Sequence, residues 1–189
     1  SRAEKKRLQT YLNWTGDYSG AIDGAYGPAT RRAIRAFQSR EGYQDTGYLT
    51  WDQVALLTQR YEAMVAALGI ETLTSEETGI EILYPAGLVA RDRVEAPFVH
   101  FEPKGDSKVR LILISQPGGR AELNALYEIM ESFDYVPKGG YTRKKRDWFV
   151  LSGADDTVVS YTYVRLSGGK LKGFTLIWTP ARDAAMARV

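Results

Sequence analysis

Apolar residues recur at helical spacing through the first third of the chain and alternate with polar ones through much of the rest. In the segment Ala3 to Trp14, Leu8, Tyr11 and Leu12 fall at i, i+3 and i+4, with Glu4, Lys5, Lys6 and Arg7 on the wet side, which predicts a short amphipathic helix. A loop rich in turn residues follows, Gly16 to Pro28, and Pro28 stands where a helix can begin without losing a needed donor. The residues 29–40 then place Ala33, Ile34 and Phe37 on one side and Arg31, Arg32 and Arg35 largely off it, predicting a second helix. The third has the clearest start. Thr50 and Gln53 form a capping box, Leu49 and Val54 a hydrophobic staple, and Val54, Leu57, Tyr61, Met64, Val65 and Leu68 repeat at helical spacing up to a stop at Gly69.

Beyond this point the period changes. The stretch TLTSEETG, residues 72–79, reads as a linker, and strand-like runs follow at 80–84, 98–102 and 109–115, the last apolar enough for a central strand. One helix is marked by Leu123, Leu126, Tyr127 and Met130, then three further strands at 148–152, 158–166 and 171–178. Ser167 to Lys170 is a hairpin turn signal, and a terminal helix is expected after Pro180. The predicted fold class is therefore two domains: an N-terminal all-α three-helix bundle over residues 1–68, a linker over 69–79, and over 80–189 an α+β domain, an antiparallel sheet with packed helices in the order βββαβββα.

Composition narrows the chemistry. The 189 residues contain no cysteine and one histidine, His100, so thiol catalysis, disulfides and sites needing two histidines are excluded. With 25 basic against 23 acidic side chains, the charge splits evenly between the two parts, and neither has the basic excess of a nucleic-acid binder. No apolar run approaches the ~20 residues needed to span a bilayer, so no transmembrane segment is expected.

The order Leu8-Gln9, Leu12, then Asp17 to Thr30 with IDGAYGPAT at its centre, then Ala33, Phe37-Gln38, Gly42, Gly47 and Leu56-Leu57 resembles the peptidoglycan-binding domain family, a three-helix module found mostly on bacterial cell-wall enzymes and envelope proteins. The resemblance implies peptidoglycan or its peptide stem as partner, no cofactor, no metal and no catalytic residue. It also implies an exported protein of the periplasm or cell envelope, whose signal sequence lies outside this chain. Within the motif, Asp23, Gly24, Gly27 and Thr30 make sense as scaffold. Asp23 can accept loop amides, the two glycines allow backbone angles closed to other residues, and Thr30 can help satisfy amides at the start of the second helix. A ligand surface is expected instead from exposed neighbours: Arg31 and Arg35, one helical turn apart, as forked donors to carboxylates, and Tyr18, Tyr26 and Tyr48 as flat amphipathic contacts.

In the second part, GIEILYP, WFVLSG, VSYTYVRL and LKGFTLIWTP resemble the PsbP-like α/β/α sandwich domains, which implies binding or assembly and carries no site residues over. Alternation puts Phe98, His100 and Glu102 on one strand face. Ser152 and the Asp155-Asp156 pair lack a nucleophile-elbow pattern and read as a turn. The run KGGYTRKKR, residues 138–146, is the densest charge in the chain. The expectation is a non-catalytic wall-binding module joined to a domain that binds a ligand or protein partner. Two alternatives stand beside it: a targeting fragment of a larger envelope hydrolase with its catalytic domain outside this chain, and a module for protein–protein interaction.

Overall fold

A computed structural model describes residues 1–186, which form two compact units, 1–67 and 68–186. In the first unit, α1 (Arg2–Trp14), α2 (Pro28–Arg40) and α3 (Trp51–Leu68) are the three expected helices. Their apolar stripes meet in a core of Leu12, Ala33, Ile34, Phe37 and Leu57, all nearly inaccessible to water. Burying each of the leucine, isoleucine and phenylalanine side chains contributes on the order of 1.5–3 kcal/mol. The capping box opens α3: Gln53 N donates to Thr50 Oγ1 at 3.3 Å and Thr50 N to Gln53 Oε1 at 3.2 Å. Gly69, at φ +57°, follows its last residue in the left-handed conformation that ends helices.

The second unit is built on a seven-stranded antiparallel sheet of order β3-β4-β5-β9-β8-β7-β6. Its strands are β3 (Val89–Glu95), β4 (Phe98–Pro103), β5 (Arg110–Pro117), β6 (Tyr141–Lys144), β7 (Trp148–Ala154), β8 (Val159–Ser167) and β9 (Lys170–Trp178). A separate hairpin, β1 (Ile70–Ser75) with β2 (Ile80–Pro85), precedes it. One helix, α4 (Arg120–Glu131), turns Leu123, Leu126 and Met130 onto one sheet face against Ile112, Ile114, Phe149, Leu151, Val164 and Leu171. The opposite face takes the hairpin: Tyr84 meets Phe101 edge-on at 5.8 Å, Ser115 Oγ donates to the Thr78 carbonyl, and Lys172 Nζ to that of Gly79.

The α+β antiparallel architecture stands as expected, but the strand count does not. The order is five strands, a helix and four strands rather than βββαβββα. Residues 69–79, expected to be a linker, supply β1 and its turn; the polar sequence IETLTS is held by backbone pairing with β2 rather than by burial of an apolar face. β3 and β6 are the two sheet edges, mostly or wholly exposed and rich in charge, which is how edge strands avoid further pairing and why alternation does not reveal them. After Pro180 a 3-10 turn (Pro180–Arg182) leads into α5 (Asp183–Met186), and the rest of the expected terminal helix lies outside the described residues.

Candidate functional site

Two buried glutamines organise the loops of the helical unit. Gln9 on α1 accepts the Gly24 N–H at 2.7 Å, and its Nε2 lies within hydrogen-bonding distance of Asp23 Oδ1, the Ala25 carbonyl and Thr30 Oγ1. Gln38 on α2 repeats the device: it accepts the Gly47 N–H at 2.9 Å, and its Nε2 faces Thr46 Oγ1, the Tyr48 carbonyl and Gln53 Oε1. Both glycines sit at φ near +75°. Each glutamine thus satisfies a loop's backbone from inside the bundle, where an unpaired amide is costly. The first locks residues 23–25 and the second residues 46–48.

The motif residues expected to be scaffold fall around the first of these hubs, with two corrections. Asp23 Oδ1 accepts from Ala25 N at 2.8 Å, and this hydrogen bond, followed by that from Gln9, holds its carboxyl below the usual range. Gly24 needs its glycine, because a Cβ there would stand 2.9 Å from the Arg2 carbonyl oxygen. Gly27 does not: it is the N-cap of α2 at φ −87°, and an added Cβ would meet nothing within 4 Å. Thr30 also departs from expectation, for its buried hydroxyl donates to the Ala25 carbonyl at 2.9 Å and ties the loop rather than capping α2.

The five expected ligand contacts do not converge. Tyr18 is inside the core, its hydroxyl donating to the Ala21 carbonyl at 2.8 Å, so its ring offers nothing to a ligand. Tyr26 is half-buried with Lys5 Nζ 5.9 Å from its ring centre, and burial raises its hydroxyl pKa. Arg31, Arg35 and Tyr48 do come together. The Arg31 guanidinium stacks 4.8 Å from the centre of the Tyr48 ring. Arg35 lies along the same loop, its Nε 3.2 Å from where a Cβ on Gly47 would stand. Neither arginine forms an ion pair among the described residues, whereas Arg40 and Arg60 are taken by Asp17 and Glu41.

The loop that carries Tyr48 continues into a cleft of about 600 Å³ between the starts of α1 and α3, lined by Glu4, Arg7 and Leu8 on one side and Leu49, Thr50, Trp51 and Val54 on the other. Trp51 is 89% exposed at its rim, and sequence reasoning passed over it because the first turn of a helix with one exposed aromatic has no distinguishing pattern. Tyr48, under the Arg31 guanidinium, and Trp51, three residues on at the cleft, are thus two exposed aromatic rings of one short segment.

This geometry sits on a recognisable module. Residues 1–57 match the family model described as "Putative peptidoglycan binding domain". No curated protein matches the chain. Among solved structures, the solution structure of cyanobacterial PsbP (CyanoP) from Synechocystis sp. PCC 6803 aligns with 62% of this chain and 85% of its own, at 17% identity and a TM-score of 0.41. No helix among the described residues is long and apolar enough to cross a membrane, and no cluster of three or more potential metal ligands occurs among them.

Elsewhere the expected residues separate. His100 lies on the α4 face of β4, paired with Ile112 of β5, while Ser152 lies on the other face of β7 opposite Tyr161. Four strand spacings, about 19 Å, divide those strands, so the two cannot act together. Asp155 accepts from the N–H groups of Thr157 and Val158 at 2.7 and 2.8 Å, which makes the expected turn and lowers its pKa.

Proposed function

We propose that the helical unit binds peptidoglycan of the bacterial cell envelope, with the peptide stem at the surface formed by Arg31, Arg35, Tyr48 and Trp51. The observation that carries this is the pair of guanidiniums without an ion pair among the described residues at the loop of Tyr48, with the exposed Trp51 three residues on, in a segment that matches that family's model. Stem peptides present carboxylates, which a guanidinium takes with two parallel hydrogen bonds, and apolar stretches that pack on aromatic faces. The role is attachment without catalysis, exported to the envelope: weak reversible binding raises the local concentration of whatever the second unit engages.

Sedimentation with purified sacculi tests this. The full chain is expected to pellet with them, and R31A with R35A, or W51A, to lower the bound fraction several-fold without loss of helical signal. Absence of co-sedimentation at both low and moderate salt would sink the wall-binding role; undiminished binding by the variants would move the site elsewhere on the unit.

A further inference from the structure

The second unit carries a surface that the first unit's role does not use. On the sheet face opposite α4, the hairpin lies over β5 and β9 but leaves β6, β7 and β8 open. Across that open part the register sets Tyr141 opposite Ser152 and Ser152 opposite Tyr161; one step along, Arg143 faces Val150 and Val150 faces Tyr163; then Trp148 faces Arg165. Tyr141 and Tyr161 are 59% and 37% exposed, large values for rings on a sheet. The rings are also mutually arranged: Trp148 and Tyr163 lie 6.3 Å apart at 40°, Tyr161 and Phe174 6.1 Å apart at 35°, and the Arg143 guanidinium sits 5.7 Å from the Trp148 ring. No Asp or Glu side chain falls on this face of β6, β7, β8 or β9.

We infer that this face binds an acidic polysaccharide, its sugar rings stacking on Tyr141, Tyr161, Tyr163 and Trp148 and its carboxylates meeting Arg143 and Arg165. Three features select that ligand. The platform is aromatic with a polar position inside it, since Ser152 stands between Tyr141 and Tyr161 in the register. Tyr141 and Tyr161 are two strands apart, about 9.5 Å, which spaces them to contact separate sugars of an extended chain. The unit as a whole has no basic excess, since residues 76–189 hold sixteen basic and fifteen acidic side chains, although the run 138–146 at this face carries five of the basic ones. A near-neutral unit with two arginines on the face suits an acidic polymer held chiefly by stacking, and not a nucleic-acid strand, whose binding depends on neutralising many phosphates.

Affinity electrophoresis of the full chain through gels containing polygalacturonate tests the inference, with dextran, poly-glutamate and oligo-dT as comparison matrices. Retardation by polygalacturonate is expected, absent with dextran and at least tenfold weaker with the other two. Y141A with Y161A should lose retardation tenfold or more, Y141F with Y161F should keep it, and R143Q with R165Q should weaken it and flatten its salt dependence. R31A with R35A should leave it unchanged, so that failure of this site is separable from failure of the wall-binding surface. Equal or tighter retention by poly-glutamate or oligo-dT would overturn the inference in favour of an acidic peptide or a nucleic acid. Wild-type retention by the alanine pair, or no retention by polygalacturonate, would overturn it outright.

Discussion

Gly24 and Gly27 are three residues apart in one motif, and their side-chain-free positions have different causes. Gly24 is held at φ +76° with its amide committed to Gln9 and the Arg2 backbone against it, so a methyl group meets both a disfavoured torsion and a steric wall. Gly27 is an N-cap in ordinary backbone geometry whose helix has no side-chain cap. Gly24→Ala is therefore expected to destabilise the helical unit by about 1–3 kcal/mol, and Gly27→Ser to be neutral or to stabilise it by a few tenths to about 1 kcal/mol by supplying the missing acceptor. Urea unfolding followed by far-UV circular dichroism measures both; a large loss on Gly27→Ser would mean that the N-cap is in contact with something beyond the bundle. The motif was legible in the sequence, but not the division of labour within it, because torsion and clearance are properties of the folded loop.

At the scale of elements, β4 and β5 show both the reach and the limit of alternation. Val99 and Phe101 face the hairpin side and Phe98, His100 and Glu102 the α4 side, as their spacing predicts. What alternation does not report is what stands opposite. Glu102 is held by Arg110 through two hydrogen bonds of 2.9 and 2.8 Å, which above all keep its carboxyl below the usual range. His100 has neither ring nitrogen hydrogen-bonded among the described residues, and the nearest carboxylate, that of Glu95, is 3.9 Å away. Burial, then the nearby Arg93, lowers its pKa, with Arg110 acting the same way and Glu95 and Glu102 opposing. The unfolded chain takes up a proton near the ordinary value of about 6.5 while the folded one resists it, so stability is full above that pH and falls as the pH drops below it. His100 is the only histidine in the chain. Wild-type protein should accordingly lose stability between pH 7.5 and 5.5, and His100→Leu should lose much of that slope without loss of stability at pH 7.5. An unchanged slope in the variant would assign it to another group.

For the whole molecule, charge is balanced and the candidate surfaces are local. Each part has one more basic than acidic residue, so long-range attraction to an anionic wall is weak and binding depends on where the unpaired guanidiniums are placed. Raising the salt from 50 to 300 mM, which shortens the screening length to several ångströms, should weaken sacculus binding of the wild type, and the Arg31 and Arg35 alanine variant should show a flatter dependence. A wild-type profile indifferent to salt would remove the charge contacts from the attachment and leave the rings of Tyr48 and Trp51 to carry it.

The sequence alone determined the helices of the first unit, the capping box of α3, the stop at Gly69 and the inward faces of the central strands, because each depends on periodicity or turn chemistry within one short segment. The strands β1, β3 and β6 escaped it, since a strand held by backbone pairing with one neighbour buries no apolar stripe that its own residues display. Side-chain destinations escaped it for a related reason. Nothing within GDYSG shows that Tyr18 points into the core, and nothing in RRAIR shows that Arg31 lies on the ring of Tyr48, seventeen positions away. The meeting of Tyr141, Tyr161 and Trp148 on one open face was decided by the register of three strands, which only the packed sheet specifies.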